Sequence, residues 1–152
     1  WPLKSTVGSV LPYAVSFAAL PAFVLLAADR PLPGWLPVAG ALMGAGAHFA
    51  NALPDLVDDA RTGVVGLPHR FGPTGSAVAA AVALAAASAV LVFGPAGAPS
   101  PAGFAAMVTA AVTLPTGLYA ARRSPGSRAA FRAVMVIALV DVALLLSAGF
   151  AG

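Results

Sequence analysis

The sequence predicts an all-α, integral membrane helical bundle of five transmembrane helices. Three observations carry that reading. Of its 152 residues, 60% are apolar and only 9% charged, with a mean hydropathy of +0.93, whereas a soluble domain keeps about a quarter of its residues charged. The apolar residues gather into five runs near the roughly 20 residues that a bilayer demands of a helix. The runs are separated by segments rich in Pro, Gly and charge, where helices end.

The first run covers residues 7–28 and stops at Asp29-Arg30-Pro31-Leu32-Pro33-Gly34. The second covers 35–53 and gives way to a polar stretch over 54–73. The third, 74–93, ends at a Gly- and Pro-rich segment over 94–101. The fourth, 102–121, is followed by Arg122-Arg123-Ser124-Pro125-Gly126-Ser127-Arg128, and the fifth spans 130–150. Ala, Gly and Ser are frequent inside the runs, which suits close helix approach in lipid, where no hydrophobic force drives association. One compact bundle is expected.

Short cytoplasmic loops retain Lys and Arg. Lys4, Arg61, Arg70, Arg122, Arg123, Arg128 and Arg132 fall on one side of five alternating spans, and Arg30 alone on the other. That side is read as cytoplasmic, with the N-terminus inside, the C-terminus outside and the protein multi-pass in the cell membrane. Trp1 and Trp35 read as interfacial anchors, and the Arg122–Arg132 cluster as an inside anchor that meets anionic lipid. The formal charge is +3 with no Glu and no Cys. Charges this sparse do not suit nucleic acid, which needs clustered basic surface. Without Cys, and with two His, any metal is expected to be hard and oxygen-ligated. The chain opens on Trp1 with no signal-peptide pattern, and it reads as a piece of a longer protein.

Three of the five acidic residues lie within five positions, in Asn51-Ala52-Leu53-Pro54-Asp55-Leu56-Val57-Asp58-Asp59-Ala60-Arg61-Thr62-Gly63. Asn51, Asp55 and Asp59 are spaced i, i+4, i+8, which on a continuing helix stacks a carboxamide and two carboxylates on one face. Adjacent carboxylates repel unless a hard cation sits on them, and Mg²⁺ is commonly held by one or two carboxylates plus substrate phosphate oxygens. The plainer alternative is a solvated loop whose acids pair with Arg61 and Arg70. Pro54 predicts a kink at the membrane surface.

The string from Asp55 through Asp59 to Gly63, then Leu67-Pro68 and Arg70-Phe71-Gly72, resembles the second aspartate-rich motif, D-x-x-x-D, of the UbiA-type intramembrane prenyltransferase superfamily. Trp1-Pro2-Leu3-Lys4 is similar to that superfamily's aromatic-Pro-x-Lys segment ahead of the fifth transmembrane helix. The resemblance covers the whole chain in order and implies the second half of a UbiA-like helical ring, the N-terminal half being absent. It implies a transferase that moves a prenyl group from a polyprenyl diphosphate to an acceptor, often aromatic, with Mg²⁺ between two opposed acidic motifs. On that basis Asp55 and Asp59 match the catalytic, metal-binding positions, Asp58 is a further metal-side acid, and Asn51 a neighbouring ligand or donor. Lys4, Arg61 and Arg70 are placed to grip diphosphate oxygens. The family's first motif, of N-D-x-x-D type, does not occur here, and neither does the second basic residue that many members carry beside Lys4.

Other polar residues have plainer readings. His69 reads as a solvated loop residue or a proton acceptor. His48, one turn before Asn51, is expected to bond Asn51 or another span. Asp141, near the middle of the fifth run, marks a functional or pairing site by default. Tyr13, Phe17, Phe23, Phe104, Met107 and Tyr119 read as packing before cation–π or channel lining. Two alternatives stay open: a non-enzymatic bundle partner or half-transporter, with Asp141 and His48 lining a polar path, and a CDP-alcohol phosphotransferase. For the latter, Asp59 stands where that family's pattern wants Gly, and Ala60-Arg61 comes two residues early.

Overall fold

The computed structural model describes residues 2–61, 63, 65–124 and 128–150, without the side chains of residues 2, 57, 58, 60 and 148–150. Trp1, which opens the aromatic-Pro-x-Lys segment, lies outside the described residues, as do Thr62 and Pro125. Two 3₁₀ turns, Pro2–Ser5 and Val7–Val10, lead into helix α1 (Leu11–Ala27). Then follow α2 (Trp35–Ala52), the short α3 (Leu56–Arg61), α4 (Leu67–Phe93), α5 (Pro101–Arg123) and α6 (Ala129–Phe150). The described residues contain no strand.

Local chemistry sets the boundaries. Pro12 starts α1 where its missing N–H costs nothing, and the chain reverses after α1 through Asp29 at φ 54°. The Ser100 hydroxyl accepts from the Gly103 N–H at 3.0 Å and caps α5, with Pro101 as the first helical residue.

Four helices are long and apolar enough to cross a membrane: Val7–Ala27, Leu67–Phe93, Pro101–Arg123 and Ala129–Ser147. Five were expected, and α2 is the difference. Its composition explains it, because His48 and Asn51 occupy its last turn and a half, and Gly40, Gly44 and Gly46 stand where larger apolar residues would raise its hydropathy. This helix is enclosed by protein, lying between α1 and α4 and touching α6. A Cβ on Gly40 would collide with the Phe17 carbonyl oxygen, and one on Gly44 with that of Tyr13. Backbone of α1 therefore rests directly on α2, the close approach that small residues permit.

The core is built from small and branched side chains: Ala80, Ala81, Leu84, Ala110, Leu114, Val134 and Ile137 join Phe49 and Ala50 at the junction of α2, α4, α5 and α6. A second cluster, Ala39, Met43, Ala87 and Leu91, seals α2 against α4 further along. Helix α1 buries none of its own residues, and Val15, Leu20, Phe23, Val24 and Leu26 all point outward. Such a helix, apolar all round with α2 as its main support, suits a lipid setting. Asp141 is fully buried at the α4–α6 contact, where the Ser88 hydroxyl donates to its Oδ1 at 2.6 Å. Its Oδ2 has no partner among the described residues.

Candidate functional site

A cavity of about 350 Å³ opens where the first 3₁₀ turns, the end of α2, α3 and the start of α4 converge; Lys4, Ser9, His48, Asn51, Asp59 and His69 are among its polar side chains. Tyr13 borders it, with its ring 5.1 Å from that of His48.

Ser9 ties the walls together. Its buried hydroxyl lies 3.0 Å from His48 Nε2 on α2 and accepts the N–H of Leu67, the first residue of α4, at 3.0 Å. Three elements far apart in sequence thus meet at one oxygen. His48 was expected to bond Asn51 or another span, and its partner is on another span: Ser9 belongs to the first apolar run, in the turn leading into α1.

The start of α4 is a separate helical turn. Gly72 takes φ 67° and ψ 179°, a left-handed, extended conformation that breaks the helix before Pro73 and is open to glycine with little penalty. The Ser76 hydroxyl reaches back across this break to donate to the Pro68 carbonyl at 2.8 Å. On the far side Phe71 stacks on Phe49 of α2 at 5.5 Å. Residues 67–71 are consequently pinned at both ends and on one flank, and they carry His69.

The acidic loop begins with a turn over residues 53–55 and continues as α3. The Asp59 N–H donates to the Asp55 carbonyl at 2.8 Å, so the two acids are one helical turn apart. They face different surroundings. Asp59 borders the cavity with its side chain 40% exposed, whereas Asp55 is exposed and lies outside the cavity lining. The side chain of Asp58 lies outside the described residues. Lys4 and Asn51 border the cavity; Arg61 and Arg70 are exposed beside it and do not line it.

His69 differs most from the solvated residue its loop position suggested. Its side chain is only 8% exposed, its Nε2 lies 3.9 Å from Asp59 Oδ2, and neither ring nitrogen has a hydrogen-bond partner among the described residues. Sequence reasoning also passed over Ser9, whose one signal was a hydroxyl near the start of the first apolar run.

An apolar groove of about 640 Å³ runs along α4 beyond Phe71, lined by Gly75, Val78, Ala79, Val82 and Leu42. Phe71 borders this groove and stacks on Phe49, which meets the His48 ring edge-on at 5.7 Å.

No protein-family model, curated protein or solved structure matches this chain.

Proposed function

We propose that this bundle is the second half of a UbiA-type intramembrane prenyltransferase, a Mg²⁺-dependent enzyme that transfers a prenyl group from a polyprenyl diphosphate to an acceptor. The observation that carries the reading is the chamber that gathers Asp59 and Asn51 of the D-x-x-x-D stretch with Lys4 from the start of the chain.

The donors suit a hard cation in kind. Asp59 and Asn51 border the chamber and Asp55 sits one turn away. With no group of three His or acidic residues able to hold a metal among the described residues, substrate phosphate oxygens would have to complete the shell. When bound, Mg²⁺ supplies positive charge against the departing diphosphate. Lys4 adds a point charge for a phosphoryl oxygen, and Asn51 a neutral amide that orients it. Tyr13 and His48 at the chamber offer aromatic faces to an allylic carbon as it becomes cationic, and the apolar groove along α4 offers a surface for the prenyl chain. The first aspartate-rich motif is not in this sequence, so a complete site takes its opposing acids from other helices.

A half-transporter reading gains nothing from Asp141, which borders neither cavity. Transfer of a prenyl group by the enzyme with both motifs present is the test. Asp55→Ala or Asp59→Ala abolishes it and Asp58→Ala is milder, since losing one preorganised electrostatic contact costs on the order of 10²-fold or more in rate. If Asp58→Ala proved the worst of the three, these roles would be wrong.

A further inference from the structure

Within the prenyltransferase reading, we infer that Ser9 fixes the proton of His48 on Nδ1, so that the ring presents an N–H to the chamber for a phosphoryl oxygen of the bound diphosphate.

Ser9 is buried, and its oxygen accepts the Leu67 N–H at 3.0 Å. Its own proton needs an acceptor, since a buried hydroxyl left without one is unfavourable. Among the described residues the acceptor within reach is His48 Nε2, at 3.0 Å. A ring nitrogen that accepts carries no proton, and the bond made by one imidazole nitrogen decides what the other bears. Neutral His48 therefore holds its proton on Nδ1, the reverse of the form that a free imidazole side chain favours. Nδ1 has no hydrogen-bond partner among the described residues and, unlike both nitrogens of His69, is not buried. The ring that carries it is held between Tyr13, at 5.1 Å, and Phe49, at 5.7 Å. Lys4 and Asn51 border the same chamber, so the N–H joins an ammonium and an amide, a set of donors that suits phosphoryl oxygens.

Two variants separate the ring nitrogens, because the side-chain amide nitrogen of Asn overlays Nδ1 of histidine and that of Gln overlays Nε2. The test is calorimetric titration of inorganic pyrophosphate in Mg²⁺ buffer into the purified chain, with thermal melting and with NMR of protein labelled at its histidine nitrogens. Wild type shows His48 in the Nδ1–H form, and a folded Ser9→Ala moves the proton toward Nε2. His48→Gln keeps the bond to Ser9 and melts close to wild type, yet binds pyrophosphate about 10-fold more weakly, as the loss of a hydrogen bond to a charged group gives. His48→Asn gives up the bond to Ser9 and melts lower, but keeps most of the affinity. An Nε2–H form in wild type, an unmoved proton in folded Ser9→Ala, or undiminished affinity in His48→Gln overturns the inference and leaves the prenyltransferase reading standing. Equal weakening in His48→Asn and His48→Gln also overturns it, since His48 is then structural. No pyrophosphate binding by wild type overturns both.

Discussion

Ser9 and Asp141 show two fates of a polar side chain buried in this bundle. Ser9 satisfies two partners at once, so Ser9→Ala strands the Leu67 N–H and removes the partner of His48. A loss of about 1–3 kcal/mol is expected from an orphaned buried donor, measured by denaturation in detergent, and a loss near zero would show that the junction is not a structural anchor. At Asp141 the Ser88 hydroxyl is the one hydrogen-bond partner among the described residues, and its single proton also lies within reach of the Leu84 carbonyl at 3.1 Å. Ser88→Ala leaves the carboxyl unpartnered and destabilises, whereas Ser88→Ala combined with Asp141→Leu recovers part of the loss, because removing both partners is cheaper than removing one. A double variant worse than the sum of the singles would contradict this. Neither pairing was legible in the sequence, since Ser9 and His48 are brought together only by the α1–α2 approach, and Ser88 and Asp141 only by the α4–α6 contact. Residue identity alone marked His48 and Asp141 as needing partners, and gave no means of choosing them.

Helix limits were far more legible than their partners, because they depend on local chemistry. The apolar runs at 102–121 and 130–150 correspond to α5 and α6 within two residues, with Ser100-Pro101 marking one start. Where a boundary was missed, a tertiary contact or a glycine overrode the pattern. The run at 74–93 is the long part of α4, but Gly72 lets the chain add a pinned turn before it, and the polar character of 67–71 concealed that turn as loop. Gly72→Ala forces a Cβ onto a backbone at φ 67° and ψ 179°, a region essentially confined to glycine, at a cost of about 1–3 kcal/mol. A circular-dichroism melt should show that loss, and an unchanged midpoint would mean the turn relaxes without it. On α2, Gly44→Leu drives a side chain into the Tyr13 carbonyl and should separate α1 from α2. Protease cleavage between residues 28 and 34 would then quicken, and unchanged cleavage would show that the helices do not depend on backbone contact.

Across the whole molecule, α2 decides the topology. Crossing by all five long helices puts residues 32 and 96 on one side and 65 and 124 on the other; if α2 does not cross, 32 and 65 share a side. The chain has no Cys, so single cysteines at Leu32, Val65, Ala96 and Ser124, all exposed, report this with an impermeant maleimide on intact cells. The expected pattern is labelling at 32 and 96 and protection at 65 and 124. Labelling of 32 and 65 alike would reduce the spans to four. That alternation also governs the chamber, since Lys4, Asn51, Asp59 and His69 can share a mouth only if the ends of α1, α2 and α4 that carry them lie on one side. The aspartate-rich stretch was legible because acids are rare in this chain. The splitting of Asp55 from Asp59 was not, because it depends on how α3 leaves the kink after α2.

The central claim, that this chamber takes a metal-bound diphosphate, is tested most directly by calorimetric titration of inorganic pyrophosphate into the purified chain, with and without Mg²⁺, for wild type and Asp59→Ala. Weak binding is expected that requires Mg²⁺ and disappears in Asp59→Ala, because one acidic motif supplies only part of the site. Pyrophosphate binding that is equally strong without Mg²⁺, or that survives intact in Asp59→Ala, would contradict the account.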